Sequence, residues 1–264
     1  MPEPSPTDSA RPRKPRFPVH VKRVRRLTPR MVRVTFTGDE LSGFGWNGPA
    51  AHIKLIFDGT DGRAAAAGPG ARSSMRTYTP RRFDATAREL DVEFVIHGEG
   101  PASAWAEQAA VGQQLTIAGP GRSYAVDPEA DWYVLAGDDT AIPAICTILD
   151  ALPPSVKAVA LIEVVDAAEE HALETRSANT EIRWLQRGTD PRHAGRELET
   201  AVRRMELPSG AGRIYVACEA EAMRRIRRHL VTERAFPRER LVTRGYWRLG
   251  ETDHPDRDYG EDIA

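Results

Sequence analysis

The stretch "SMRTYTPRRFD", Ser74–Asp84, decides how the rest of the chain is read. A strand-like Arg-Thr-Tyr-Thr runs straight into a proline and two more arginines. Arg76 and Tyr78 alternate and therefore share a face, and Thr79 follows directly. A core strand wants the ring but neither the cation nor the hydroxyl. Together the three side chains suit a ligand that carries phosphate, an aromatic plane and a hydrogen-bonding edge. A guanidinium matches phosphate oxygens with its planar fork.

On either side of this run the pattern is β. "PVHVKRVRRLTPRMVRVTFTG" alternates apolar and basic residues around "LTPR", which predicts two half-buried strands and a turn. "AHIKLIFDG", "ELDVEFVIHG" and "GQQLTIAGP" read as further strands, with "PASAWAEQAA" between the last two as a short helix. The small, Gly-rich segment from Arg63 to Ser74 reads as a surface loop. Short strands with turn signals predict an antiparallel barrel or sandwich. After about Val126 the rhythm changes. "DWYVLAGDDTAIPAICTILDAL" is a strand, a turn and a helix, and strands then alternate with helices as far as "ERLVTRGYW". That spacing predicts a parallel sheet of the doubly wound type. The expected organisation is a tail at 1–16, a β-barrel domain at 17–126, an α/β domain at 127–250 and an acidic, frayed tail at 251–264.

The chain has 264 residues, enough for two ordinary domains with real cores. Its formal net charge of −1 supplies no global field toward nucleic acid or membrane. Cys146 and Cys218 lie in apolar surroundings without metal-ligand spacing, which predicts reduced thiols, a cytoplasmic protein and no metal site. No apolar run approaches membrane-spanning length, and the Pro-rich start lacks the apolar region of a secretory signal. The basic residues Arg11 to Arg16 read as a solvated tail, and the four arginines in Arg224–Arg228 as the outer face of a helix with Met223, Ile226 and Leu230 inward.

Ligands of open α/β sheets bind at the carboxyl ends of the strands. "LAGDDTAIPAI" offers such a place: Asp138, Asp139 and Thr140 can cap the next helix, whose N-terminus can receive a phosphate or a ring edge. A plain capped helix is the alternative there, and a G-x-G-x-x-G fingerprint is absent. Cys218, in "VACEAEAM", reads as a small core residue or a group beside a reacting centre. In the first half, "HGEGPASAWA" places Gly98 and Gly100 for close backbone approach and Pro101 in a first helical turn. Ala102 and Ser103 then present amides and a hydroxyl suited to a pyrophosphate, or simply make a strand-turn-helix corner.

Taken in order, "RTYTPR", "LDVEFVIHGEGPASAWAEQAAVGQQLTIAGPGRSY", "LAGDDTAIPAI" and "RGYWRLGE" resemble the siderophore-interacting proteins. These are flavin-dependent ferric-siderophore reductases of the ferredoxin–NADP reductase superfamily. The resemblance runs from about Phe17 to Gly250. It implies a six-stranded antiparallel FAD-binding barrel followed by a parallel α/β domain for NADH or NADPH. It implies that Arg76 pairs with the FAD pyrophosphate, Tyr78 lies against the isoalloxazine and Thr79 bonds near its reacting nitrogen. Gly100, Pro101, Ala102 and Ser103 would take the phosphates, with His97 touching the cofactor. Tyr246 and Trp247 would approach the other flavin face. Asp138, Thr140, Ala141 and the Cys218-Glu219 turn would meet the nicotinamide nucleotide, although Cys218-Glu219 departs from the Cys-Gly pair of many superfamily members.

The implied acceptor is a ferric siderophore, held by Lys54, Arg248 and, less directly, Arg122, any of which could instead be an ordinary surface cation. Glu169 and Glu170, beyond the second strand of the α/β domain, tilt the expected donor toward NADH, whereas Arg187 and Arg192 lie where they could favour NADPH. Rival readings keep the architecture but change the acceptor, replace the nicotinamide with a ferredoxin, or make the protein a binder without catalysis, either a siderophore carrier or a nucleic-acid protein using Arg11 to Arg16 and the helix Arg224–Arg228. A monomer is expected, with no nucleic-acid or membrane partner.

Overall fold

The protein is described from a computed structural model, in which residues 14–57, 74–98, 100–177, 179–252, 254–255 and 258–260 are described. The N-terminal arm through Arg13 and most of the Ala/Gly loop, residues 58–73, lie outside them.

The first half forms one curled antiparallel sheet. Its strands are β1 (Arg16–Thr28), β2 (Met31–Thr37), β3 (Ile53–Phe57), β4 (Ser74–Tyr78), β5 (Pro80–Asp84), β6 (Glu89–Val95) and β7 (Gln114–Ala118), in the order β4-β3-β7-β1-β2-β6-β5. The alternation seen in the sequence is the cause. Phe17, Val19 and Val21 of β1 are buried while Pro18, His20 and Lys22 face solvent. Six strands are expected and seven form, for a reason inside the opening stretch. Proline has no N–H for a ladder, and the run breaks at Thr79–Pro80. Ser74–Tyr78 pairs with β3 and Pro80–Asp84 with β6. The two edges of the sheet are therefore joined by a single residue, Thr79, and the sheet curls back on itself. Helix α1 (Pro101–Glu107) plugs it with Trp105, which packs on Phe36, Phe57 and Phe94.

The second half is a parallel sheet of β8 (Trp132–Asp138), β9 (Lys157–Val164), β10 (Thr180–Gln186), β11 (Gly212–Glu219) and β12 (Leu241–Trp247), in the order β10-β9-β8-β11-β12. Helices cover both faces, so the central strands read as continuous apolar runs; every residue of β8 is buried. Helix α2 (Ile142–Ala151) packs on one face, and α3 (Arg196–Arg204) and α4 (Ala220–Arg228) on the other. Cys146 and Cys218 are free thiols within these two layers.

Leu27, Met31, Ala50 and Val95 of the barrel join the α2-side core, so the two halves share apolar packing. On α4, Met223 and Ile226 are buried as expected, with Leu230 just beyond, but Arg224 and Arg225 are ion-paired to Asp258 and Glu199. The C-terminal segment is not frayed where it is described. His254 and Asp258 are buried, the Gly245 amide donates to the Asp258 carbonyl at 2.9 Å, and Arg244 lies over the Tyr259 ring. Acidic composition suggested solvation, but Asp258 finds a cation in Arg224. Among the described residues no helix is long and apolar enough to cross a membrane.

Candidate functional site

The site grows from the barrel edge. Directly paired residues in antiparallel strands share a face. Leu55 opposes Arg76 and Ile53 opposes Tyr78, while Lys54 opposes Thr77. Arg76 and Tyr78 thus stand on one face of β4. Lys54 and Thr77 stand on the other, where the lysine ammonium donates to the Thr77 hydroxyl at 2.7 Å. The Tyr78 ring packs against Phe94 at 4.5 Å between centroids, which fixes its plane. Burial pushes its phenol well above the usual range, so Tyr78 serves as a neutral ring.

The corner before α1 is built from β6 outward. Phe94 anchors the strand in the core, and His97 emerges exposed three residues later. The buried Ser103 hydroxyl accepts the His97 amide at 3.0 Å, so this side chain holds the corner itself. Gly100 is at φ 80°, a left-handed conformation that favours glycine. A Cβ at Gly98 would meet nothing within 4 Å. The first turn of α1 carries no side-chain cap.

The carboxyl edge of the parallel sheet converges on Asp138. One carboxylate oxygen accepts the Thr140 amide at 3.0 Å and its hydroxyl at 2.5 Å. The other accepts the Glu219 amide at 3.0 Å and the Trp247 indole at 2.8 Å. Burial, and next the Asp139 carboxylate, push Asp138 up to about 7. Asp138 and Thr140 therefore tie β8, β11 and β12 together, and this carboxylate is occupied by protein donors. Ala141 is fully buried behind them. Asp139 receives Arg187 at 3.0 Å, and the other guanidinium nitrogen of Arg187 is buried without a hydrogen-bond partner among the described residues. Glu163 caps α3 through the amides of Gly195, Glu197 and Leu198. Cys218 is fully buried, and burial raises its thiol well above the usual range.

The two domains meet beside a pair of tyrosines. The Tyr246 phenol bonds the Tyr215 phenol at 2.9 Å, and Thr79 of the barrel lies close enough to act on its ionisation. Trp247, half-buried, is held by Asp138. The structure thus brings Thr79, Tyr246, Trp247, Asp138 and Thr140 into one connected array. Arg122 is exposed, just beyond the Gly119–Pro120 turn. Arg248 is held by Glu221 at 2.8 Å and Glu251 at 3.2 Å. Of the two carboxylates expected to face a ribose, Glu169 is buried and accepts the Thr28 hydroxyl and the Arg30 amide, and Glu170 is half-buried and accepts Gln186 through one oxygen.

Residues 20–124 match the siderophore-interacting FAD-binding domain, and residues 130–250 match the siderophore-interacting protein family. The chain is 33% identical over 240 residues to the ferric vibriobactin reductase ViuB of Vibrio cholerae, covering 84% of this chain and 86% of that one. The chain belongs to the siderophore-interacting protein family. It is also 28% identical to the NADPH-dependent ferric-chelate reductase of Escherichia coli, covering 88% of this chain and 97% of that one. Among solved structures, a siderophore utilization protein from T. fusca superposes with a TM-score of 0.82 at 36% identity, covering 92% of this chain and 96% of that one.

Family membership makes the barrel an FAD-binding domain, and the residues present fit that cofactor. The guanidinium of Arg76 and the uncapped first turn of α1 supply donors for phosphate, and the open glycine corner leaves room for it. The fixed Tyr78 ring supplies a plane. Sequence reasoning missed Tyr215, Glu163 and Arg81. Arg81 is buried and reaches Asp150 of α2 and the Glu174 carbonyl across the domain seam. Its proximity to the flavin strand drew attention to ligand binding, and nothing local signalled a partner about seventy residues on.

Proposed function

We propose that this protein is an FAD-dependent ferric-siderophore reductase that takes electrons from NAD(P)H and passes them to siderophore-bound Fe(III), releasing Fe(II). The reading is supported by one observation: within a chain of this family, the Arg76–Thr79 strand end lies beside the Tyr246–Trp247 end of the parallel sheet. The donor domain and the flavin domain then meet at a single edge. Bound there, FAD supplies the exchange between a two-electron donor and a one-electron acceptor.

In this reading Arg76 and the Gly100–Ser103 corner, through the backbone of Pro101 and Ala102, hold the phosphates, with His97 at the rim. Tyr78 orients the ring system. Thr79, beside Tyr246, stands at the reacting edge, and Trp247 closes the far side. Asp138, Thr140 and Ala141 shape the nicotinamide edge from behind rather than touching it. Lys54 and Arg248 face the chelate. Siderophores bind Fe(III) through hard oxygen donors and hold Fe(II) far more weakly, so electron delivery is sufficient for release and no general acid is required.

The test is the visible spectrum of the purified protein under anaerobic conditions, followed by NADH or NADPH, then a ferric siderophore with a ferrous trap. A flavin spectrum that bleaches with a nicotinamide and recovers on adding the ferric chelate, with trapped Fe(II), is the expected result. A flavin that bleaches with neither nicotinamide points to a ferredoxin donor. A colourless protein that takes up no FAD overturns the proposal and favours a carrier.

A further inference from the structure

Arg248, the cation at the proposed acceptor site, is enclosed by carboxylates. Its guanidinium donates to Glu221 at 2.8 Å and to Glu251 at 3.2 Å. The contacts continue round: Glu221 lies 3.5 Å from Arg224, Arg224 donates to Asp258 at 2.7 Å, Asp258 meets His254 at 2.9 Å, and His254 meets Glu251 at 3.3 Å. These six side chains close a ring of three carboxylates, two guanidiniums and one imidazole. Three carboxylates against two guanidiniums and an imidazole leave the ring with no net positive charge, so Arg248 does not make this side of the site cationic.

The position matters because Arg248 is two residues past Tyr246, whose phenol lies beside Thr79. Thr79 directly follows β4, on which Thr77 holds Lys54. A chelate at this edge meets one lysine and an arginine already flanked by Glu221 and Glu251, both about half exposed. Fe(III) held by three catecholates carries three negative charges, whereas Fe(III) held by three hydroxamates is neutral. The trianion must approach two carboxylates and draw Arg248 away from them. The neutral complex needs neither.

We infer that Glu221 and Glu251 set the charge preference of the acceptor site through Arg248, so that neutral tris-hydroxamate ferric chelates are favoured over trianionic tris-catecholate ones. This rests on the reading that Arg248 faces the chelate. The two glutamates are positioning residues.

The experiment compares the FAD-loaded wild type with Glu221→Gln/Glu251→Gln. For each, kcat/KM is measured with a ferric tris-hydroxamate and a ferric tris-catecholate at saturating nicotinamide. Flavin content and circular dichroism check that the variant folds. The catecholate-to-hydroxamate ratio is expected to rise about tenfold at low salt, the size of a focused electrostatic effect. It should collapse toward the wild-type value in about 1 M salt, where the screening length is about 3 Å. Adding Arg248→Gln should remove the rise. A ratio that stays within about twofold of wild type overturns the inference, as does a rise that survives loss of Arg248. A shift in the nicotinamide KM with no change in ratio also overturns it, because it places Arg248 at the donor site. Binding of the redox-inert Ga(III) complexes of the same ligands gives the ratio without turnover. A protein that reduces neither iron chelate therefore defeats the reductase reading, while the binding ratio still decides the charge preference; binding of neither complex defeats the charge preference.

Discussion

Asp138 is the residue on which the α/β half of the site depends. Four donors meet its carboxylate, yet burial and Asp139 push it up to about 7. Its ordinary value is 3.8. Between that and about 7 the folded chain keeps a proton that the unfolded chain has lost. Stability therefore falls as pH rises through this window, by about 1.4 kcal/mol per unit for a lone group, and levels off above it. Because Asp138 accepts the Trp247 indole, the change is visible. The emission difference between wild type and Trp247→Phe should titrate with a midpoint near 7 and vanish in an Asp138→Asn background. A flat difference from acid to alkaline pH would show that the carboxylate is ionised throughout. Arg76 makes a simpler case. If it pairs with the cofactor phosphates, Arg76→Ala loses a charge-assisted hydrogen bond of about 1.5–3 kcal/mol, and FAD titration should show affinity weakened roughly ten- to hundredfold. Unchanged FAD affinity would remove Arg76 from the site.

At the scale of elements, the sequence was most legible where periodicity was strong. The alternation of Phe17, Val19 and Val21 named β1, and the apolar run at Trp132–Asp138 named a strand buried on both faces. It was least legible where a residue's partner is distant. Pro80 was visible as a break in the strand, but only pairing to β3 and β6 shows that the break carries the chain from one edge of the curled sheet to the other. The same holds for the C-terminal strap. Its charge reads as solvated, yet Asp258 is 7% exposed because Arg224 and His254 surround it. The strap backs β12, the strand that delivers Tyr246 and Trp247, through the Gly245 amide and the Thr243 hydroxyl. Asp258→Ala should leave Arg224 with one longer contact to Glu221 and cost about 2–3 kcal/mol, below the full penalty for breaking a buried pair because Arg224 is partly exposed. Hydrogen exchange at Gly245 should lose protection while β8 keeps its own. Protection lost equally across the sheet would mean that the strap and the sheet open as one unit.

The whole molecule works only if two domains hold one geometry, and the residues that fix it were the hardest to read. The FAD-binding domain could be read from local motifs, whereas the seam is made of arginines whose partners lie far along the chain. Arg33 is bound to Glu93 at 2.5 Å and to Glu174 at 2.6 Å, Arg25 also reaches Glu174, and Arg81 bridges Asp150 and the Glu174 carbonyl. Two cavities of about 220 and 550 Å³ run along this clasp between β5 and α2. Its members are not equivalent. Hydrogen bonds from Arg33 and Arg25 hold Glu174 down at about 2, so its contribution is present above its ordinary 4.5 and is lost as pH falls toward 2. Glu174 is 53% exposed, however, and screening keeps its worth to about 1 kcal/mol or less. Glu93 is different: its side chain is 2% exposed and its charge is matched by Arg33. Arg33→Ala strands a buried carboxylate and should cost about 3–5 kcal/mol, whereas Arg33→Met with Glu93→Leu removes both charges and should recover most of that loss. Urea unfolding at fixed FAD concentration, which holds cofactor linkage constant, separates the cases. Glu174→Ala should shift the midpoint slightly, Arg33→Ala strongly, and the double variant should lie near wild type in stability. If the double variant is as unstable as Arg33→Ala, the clasp is held by the geometry of the ion pair itself, and apolar packing by Met31 and Val95 is not enough to seat one domain on the other.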